Sequence, residues 1–116
     1  IECDGISLKP VLTGTKDQKR RSFVIGEYYG KQLWVNPIRM IRTSSFKYNK
    51  YIYHGEELYD LKNDPNELKN LANDNGYAKV KAELSAELNK WVKENDDPFY
   101  SLYTTTRTGE RLNKDV

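Results

Sequence analysis

Side chains that could carry out catalysis are few and scattered in this sequence. His54 is the single histidine and Cys3 the single cysteine, and they stand too far apart along the chain to suggest a nucleophile and its base. One histidine cannot form a two-histidine metal site, and the glycines do not form a phosphate-binding loop. Carboxylates are plentiful, but two adjacent pairs lie beside predicted turns or helix ends, where such pairs are usually solvated: Glu56/Glu57 and Asp96/Asp97. We therefore predict no catalytic residue and no metal site in these 116 residues.

Length and composition indicate one small globular domain or a piece of one. Apolar residues make up 37% of the chain and charged residues 31%, which predicts a thin hydrophobic core. No apolar run approaches the roughly 18 residues of a membrane helix, so we expect no membrane partner. The sequence begins at Ile1, which we interpret as a processed protein or a fragment.

A basic, tyrosine-rich segment is followed by an acidic one. Residues 28–55 contain five basic side chains and no acidic one, whereas residues 56–74 contain six acidic and two basic side chains. The basic segment could face an anionic ligand. The alternative is a solvated sheet face whose charges pair with the acidic segment, and charge alone favours this alternative.

The elements that must position these residues are four short strands followed by two helices. Residues 1–15 predict an extended lead-in and residues 16–21 a polar loop. Pro37 is expected at an edge or bulge of the second strand. The predicted strands, rich in β-branched and aromatic residues, span 22–29, 33–43, 46–53 and 57–61. Tight turns between them indicate an antiparallel meander.

The helices are predicted from a capping signal and from an apolar stripe. Asp64-Pro65-Asn66-Glu67 is typical of a helix start and predicts a short helix there. A longer helix is expected over residues 77–94, ended by Pro98. Its apolar residues recur at helical spacing and predict one face packed in the core: Tyr77, Val80, Leu84, Leu88 and Trp91.

The central strands do not alternate between apolar and polar residues, so both faces of the sheet require cover. One amphipathic helix can cover one face only. The expected fold class is therefore α+β: a four-stranded antiparallel sheet with one long C-terminal helix on one face. The other face is expected to meet a larger body or another subunit.

An ordered set of short motifs supports a more specific interpretation. In chain order they are Asp4-Gly5-Ile6-Ser7-Leu8-Lys9-Pro10, Arg39-Met40-Ile41-Arg42-Thr43, Lys47-Tyr48, Glu57-Leu58-Tyr59-Asp60-Leu61, Asn63-Asp64-Pro65 and Asn70-Leu71. In this order and spacing the chain resembles the C-terminal subdomain of type I, formylglycine-dependent sulfatases of the alkaline-phosphatase-like superfamily. The resemblance covers residues 4–98 and implies a lead-in over 1–21, the subdomain over 22–98 and a tail over 99–116.

The resemblance also implies where the chemistry lies. Formylglycine and calcium belong to an N-terminal catalytic domain of α/β architecture, which is the implied partner of the uncovered sheet face. Cys3 lacks the Pro and Arg that follow a formylglycine precursor, so the isolated chain is expected to be inactive. The implied substrate is a sulfated carbohydrate or an aryl sulfate, and the implied location is periplasmic or secreted.

In this superfamily the subdomain shapes the rim of the substrate pocket, and the resemblance implies candidates near the first turn of the sheet. They are Tyr28, Tyr29, Trp34, Asn36 and Arg39. Aromatic rings stack on sugar or aryl faces, and an arginine can fork onto a carboxylate or a sulfate. The alternative is that Trp34 packs on the main domain and Arg39 pairs with an acid there. His54 is interpreted as a solvated turn residue.

Three other interpretations stay open. A phosphonate- or phosphodiester-cleaving relative has a similar C-terminal subdomain. A stand-alone module could bind nucleic acid through the basic sheet, although the aromatic residues fall on both faces and no RNA-binding motif is present, so no nucleic-acid partner is expected. Self-association through the uncovered face would be an artefact of truncation.

Overall fold

The sheet is an antiparallel meander whose strands lie in chain order. The computed structural model of the chain describes residues 3–15 and 21–113. The strands are β1 (Val24–Lys31), β2 (Trp34–Arg42), β3 (Phe46–Tyr51) and β4 (Glu56–Asp60), hydrogen-bonded in the order β1-β2-β3-β4. This confirms the predicted meander, because each strand pairs with the next through a short connection.

One irregularity shapes the hairpin of β1 and β2. Their pairing shifts between Tyr28 and Gly30, and Pro37 lies on β2 opposite this shift. A residue without an N–H group is tolerated at such a bulge, as expected from the sequence. A Cβ atom on Gly30 would overlap the carbonyl oxygen of Trp34, so the hairpin needs glycine at this close approach.

A long helix, α2 (Ala78–Glu94), covers one face of the sheet. Ile41, Tyr48 and Leu58 come from the three neighbouring strands β2, β3 and β4 and have no exposed surface. They form one cluster with Leu84 and Leu88 of α2. Each such side chain contributes roughly 1.5–3 kcal/mol on burial, so this cluster is the core that holds the helix on the sheet.

The predicted apolar stripe of α2 is confirmed for most of its length. Tyr77, in a short 3-10 helix before α2, packs with Val80 against the core. Near the end of α2, Val92 is buried whereas Trp91 is only half-buried. The stripe drifts because 3.6 residues per turn do not divide evenly into spacings of three and four.

The short helix predicted at Asp64 does not form, and this expectation was wrong. Residues 61–74 are turns. The Asp64 carboxylate accepts the N–H groups of Leu68 and Lys69 at 3.1 and 2.9 Å, but Glu67 has φ +54° and extends its side chain to Lys47. A positive φ at that residue is incompatible with a right-handed helix, so the capping side chain closes a loop instead.

The two ends of the chain also differ from expectation. The lead-in is not wholly extended, because α1 (Lys9–Leu12) forms one helical turn with Pro10 near its start. Most of the predicted polar loop, residues 16–20, lies outside the described residues. After α2 a short 3-10 helix, Phe99–Ser101, leads to Thr104 and Thr105, which are buried. The domain boundaries at residues 21 and 98 stay predictions.

The sheet face opposite α2 is called the open face. One depression on this face is lined by Tyr28 of β1, by Trp34, Asn36 and Ile38 of β2 and by Tyr51 of β3. Met40 lies on the same face as Ile38, because side chains alternate across a strand. The open face is therefore the surface on which a site can form.

No helix within the described part of the chain is long and apolar enough to cross a lipid bilayer.

Candidate functional site

A groove of about 580 Å³ lies on the open face. All four strands or their connections contribute to it, because the meander brings their ends to one side of the sheet. Its lining residues are Tyr28, Trp34, Asn36, Ile38, Tyr51, His54, Glu56, Glu57 and Asn70. Three of the five predicted site residues, Tyr28, Trp34 and Asn36, therefore meet in one depression.

Asn36 is an unusual member of the groove lining. Only 3% of its surface is exposed, yet its side-chain oxygen Oδ1 has no hydrogen-bond partner among the described residues. A buried acceptor without a donor costs roughly 1–3 kcal/mol. An unsatisfied acceptor at a groove wall is therefore a place where a ligand donor gains a hydrogen bond at little cost.

A carboxylate on β4 organises the far wall of the groove. Glu57 accepts hydrogen bonds from the Asn49 amide at 2.7 Å and from the Tyr51 hydroxyl at 3.0 Å. Burial, together with the bond to Glu57, raises the pKa of Tyr51 to about 12. Tyr51 therefore stays neutral at physiological pH, and this wall offers fixed acceptors rather than a proton-transfer group.

His54 lies in the turn between β3 and β4 and is exposed, as the sequence indicated. Its ring is flanked edge-on by Tyr51 and Tyr53, with ring centroids 6.5 and 5.3 Å away. This histidine also lines the groove. Together with Asn70, it was missed as a groove residue because only the folded turn brings it beside Trp34.

Arg39 lies on the opposite face of β2, enclosed in a cluster that we call the arginine clamp: Arg39, Tyr29, Asp97 and Phe99. Its side chain is 0% exposed. Both oxygens of Asp97 accept from Arg39 Nε at 3.1–3.2 Å, and Oδ1 also accepts from Nη2 at 3.0 Å. Nη1 donates to the Ile38 carbonyl, and the guanidinium packs against the rings of Tyr29 and Phe99.

The arginine clamp answers two expectations from the sequence. Tyr29 and Arg39 do not line the groove: the Tyr29 hydroxyl accepts a hydrogen bond from Arg39 Nη2 at 2.9 Å. The acid that pairs with Arg39 comes from this chain rather than from a second domain. Asp97 was expected to be solvated but is 5% exposed, because the chain turns at Pro98 and folds it beneath the sheet.

The tail beyond residue 98 holds the near end of β2, which sequence reasoning did not anticipate. The pairing of β2 with β3 begins only at Ile38, so the first residues of β2 have a free edge. Thr105 fills it, donating its N–H to the Val35 carbonyl at 2.8 Å and its hydroxyl to the Leu33 carbonyl at 2.8 Å. Beyond it, the Arg107 guanidinium lies 5.3 Å from the centre of the Trp34 ring.

Side chains of the types that bind metal ions are scattered in the described part of the chain. Within residues 3–15 and 21–113, no three His, Cys, Asp or Glu side chains lie close enough together to hold a metal ion. Cys3 is exposed, and the residues after it are Asp4-Gly5-Ile6-Ser7. The groove can bind and orient a molecule.

The described chain is a small antiparallel meander with a helix on one face and a groove on the other. Residues 1–94 match the family described as N-sulphoglucosamine sulphohydrolase, C-terminal. The chain belongs to this family, which confirms the resemblance to the sulfatase C-terminal subdomain.

Individual relatives agree with this membership. The chain is 43% identical over 100 residues to the Delta 4,5-hexuronate-2-O-sulfatase of Bacteroides thetaiotaomicron, covering 84% of this chain and 21% of that protein. The structure of a 2-O GAG sulfatase superposes with a TM-score of 0.83 at 40% identity, covering 89% of this chain and 23% of that one. The chain thus spans about a fifth to a quarter of the length of these relatives.

A phosphonate monoester hydrolase of Agrobacterium radiobacter shares the fold as well. Its TM-score is 0.67 at 24% identity, covering 97% of this chain and 25% of that one. At this identity the similarity concerns the fold alone. The expected α+β architecture, with four antiparallel strands and one long helix, is therefore confirmed without a choice between the two chemistries.

Proposed function

We propose that this chain is the C-terminal subdomain of a sulfuric ester hydrolase that acts on sulfated carbohydrates, and that the groove holds the sugar part of the substrate. The observation that carries the proposal is the meeting of the Trp34 ring with the unsatisfied Asn36 acceptor in one groove. The relative that is a hexuronate 2-O-sulfatase supports the substrate class.

The chemistry of the groove suits a sugar. A pyranose presents C–H groups that pack on an aromatic face, and Trp34 and Tyr28 supply such faces. Its hydroxyl groups are hydrogen-bond donors, which Asn36 Oδ1 lacks at present. A group with a buried, unpaired acceptor discriminates strongly in favour of a ligand that supplies the donor.

Tyr29 and Arg39 are assigned a different task in this proposal. The arginine clamp is a positioning cluster, because it ties β2 to the chain segment after α2 from the face opposite the groove. It keeps the strand that carries Trp34 and Asn36 in place. Substrate contacts are assigned to Tyr28, Trp34 and Asn36.

Bond cleavage is assigned to a separate catalytic domain. Formylglycine and calcium, when present there, would supply the nucleophile and a cation for the sulfate group. The sequence after Cys3, and the lack of a three-residue His, Cys, Asp or Glu cluster within the described residues, support this assignment. This chain contributes binding and orientation, which lower KM or raise kcat by holding the remote part of the substrate.

Replacement of the aromatic platform tests the proposal. In the enzyme that contains this chain, Trp34→Ala is expected to lower kcat/KM for the sulfated saccharide, mainly through KM. The expected loss of transition-state stabilisation calculated from kcat/KM is about 1–3 kcal/mol. Activity on a minimal aryl sulfate should barely change, because that substrate has no distal sugar for the groove to hold. Initial rates on both substrates provide the measurement.

The other tryptophan supplies the matched control. Trp91→Ala changes α2, away from the groove, and should leave the ratio of the two activities unchanged. Equal losses on both substrates in a folded Trp34→Ala enzyme would make Trp34 a structural support. No loss on either substrate would remove the groove from the substrate site.

The remainder of the open face is proposed to contact the catalytic domain. Met40 lies there outside the groove, half-buried and on the same face as the groove residue Ile38, and an exposed apolar surface usually has a partner. The isolated chain is therefore expected to self-associate, an artefact of lacking that partner. A monomer in sedimentation experiments, with no binding of an apolar dye, would contradict this assignment.

A further inference from the structure

Next to the groove, two basic side chains line a second depression that we call the basic cleft. It has a volume of about 310 Å³ and is lined by Lys31, Gln32, Leu33, Trp34 and Arg107. Trp34 lines both the groove and the basic cleft. A single extended molecule lying across this ring therefore reaches both.

The basic cleft carries uncompensated positive charge. Its described lining residues include no carboxylate, and no described carboxylate forms a salt bridge with Lys31 or Arg107. Lys31 and Arg107 are exposed, in contrast to Arg39, Lys47 and Lys81, which are buried or half-buried and each have an acidic partner. Two unpaired cations at one cleft favour binding of an anion.

The fold holds the two cations in place from separate elements. Lys31 ends β1, beside the turn at Gln32, which has φ +57°. Arg107 belongs to a turn closed by the Thr106 N–H bonding to the Glu110 carbonyl at 2.8 Å. Gly109, with φ +95°, lets this turn pack against Leu33.

Hydrogen bonds to β2 anchor the turn that carries Arg107. Thr105 is only 5% exposed, and its hydroxyl accepts the Val35 N–H at 2.8 Å while donating to Leu33. These bonds fix the base of the turn on the strand that carries Trp34. Arg107 consequently lies over the indole ring, where it can reach an anion bound beside that ring.

We propose that the basic cleft is a subsite for an anionic group, a carboxylate or a second sulfate, on the sugar next to the one held in the groove. This inference rests on the proposed function, since it assumes that a saccharide occupies the groove. It assigns the enzyme to polyanionic saccharides rather than to singly sulfated neutral ones. A guanidinium forks onto either oxyanion, and an ammonium adds a second contact.

The test measures binding to the enzyme that contains this chain by titration calorimetry. The probes are three disaccharides: one with a uronate carboxylate, one with that carboxylate reduced to an alcohol, and the reduced one bearing a sulfonatomethyl group. The last is a sulfate analogue with no ester bond to hydrolyse. We expect Lys31→Ala/Arg107→Ala to weaken binding of one or both anionic probes by about 5- to 20-fold relative to the neutral probe.

The readout is the ratio of the dissociation constants of the charged and neutral probes, because Arg107→Ala also uncovers the Trp34 ring and can affect every probe. Lys31→Ala alone should change the ratio in the same direction. The control Lys69→Ala/Lys79→Ala removes the same charge from exposed positions outside the cleft and should leave the ratio unchanged. Raising the salt concentration should shrink the effect, since exposed charges are screened.

The outcomes separate the two proposals. Loss confined to the carboxylate probe identifies a uronate, and loss confined to the sulfonate probe identifies a second sulfate. An unchanged ratio in the cleft variants overturns the proposal of an anion subsite in the basic cleft. This holds even if Trp34→Ala weakens binding of all three probes and so supports the proposal of a sugar site in the groove. If Trp34→Ala weakens none while the cleft variants still alter the ratio, the groove proposal fails, and what stands is binding of an anionic group at the basic cleft without a sugar in the groove.

Discussion

Two polar side chains of β2, three residues apart, are both buried and yet stand in opposite situations. Arg39 is enclosed beneath the sheet with its charge paired and its N–H groups bonded to Asp97, Tyr29 and a carbonyl oxygen. Asn36 lies on the open face with an acceptor that has no partner among the described residues. A buried polar group with its hydrogen bonds satisfied stabilises the chain itself, whereas an unsatisfied one indicates a surface that can bind a ligand or another domain.

The difference follows from what each face packs against. The covered face is closed by α2 and by the segment after it, and Arg39, Asp97 and Tyr48 there find their partners within the chain, as buried polar groups require. The open face has no cover of its own. Its polar groups can therefore remain available to a ligand or to another domain.

The largest expected effect comes from a substitution on the covered face. Arg39→Ala leaves Asp97 buried without its cation, and we expect the free energy of unfolding to fall by about 3–5 kcal/mol. Urea unfolding of the isolated chain, followed by tryptophan fluorescence, provides the measurement. Arg42→Ala, an exposed arginine at the end of the same strand, should cost less than about 0.5 kcal/mol. Similar losses for the two variants would mean that the arginine clamp adds no special stability.

A smaller effect of opposite sign is expected on the open side. Asn36→Leu removes the unsatisfied acceptor and should raise the free energy of unfolding of the isolated chain by up to about 1 kcal/mol, while weakening saccharide binding by the whole enzyme. Asn70→Leu is the matched control. Asn70 Oδ1 accepts the N–H groups of Leu58 and Ala72, so its loss should destabilise by about 1–3 kcal/mol. Destabilisation by Asn36→Leu would show that its oxygen is satisfied in solution.

The last comparison concerns two tyrosines of β3 that bond to carboxylates on opposite faces. Tyr48 donates to Glu56 at 2.5 Å beneath the sheet, and Tyr51 donates to Glu57 at 3.0 Å on the open face. Burial raises the pKa of both hydroxyls, that of Tyr51 to about 12. A raised folded-state pKa gives stability that is complete below the ordinary value of about 10 and is lost as the pH rises through the folded value.

We therefore expect the isolated chain to lose stability between pH 10 and about 12, and Tyr51→Phe to flatten this part of the curve. At neutral pH the same substitution should cost only about 0.5–1.5 kcal/mol. Urea unfolding across that pH range provides the measurement, and Tyr53→Phe, an exposed tyrosine of the β3–β4 connection, is the control. A Tyr51→Phe chain with an unchanged alkaline curve would refute the coupling to Glu57.

Elements with strong periodicity were predictable, and elements that depend on one side chain were not. The strands and α2 lie within a few residues of their expected bounds, because burial of an apolar face decides them. The loop at residues 61–74 was mistaken for a helix start, because Asp64 satisfies loop N–H groups with the same chemistry that caps a helix. Asp97 was mistaken for a solvated acid because its partner is 58 residues away.

The sequence by itself determined the fold class and the family, since periodicity and ordered motifs are local properties that survive without coordinates, and it predicted a partner on one sheet face. The tertiary structure decided which polar groups meet. It turned Arg39 and Tyr29 away from the groove, brought Tyr51, His54 and Glu57 into it, and laid Arg107 on Trp34. These contacts join residues distant along the chain, and only the register of the sheet and the path of the tail specify them.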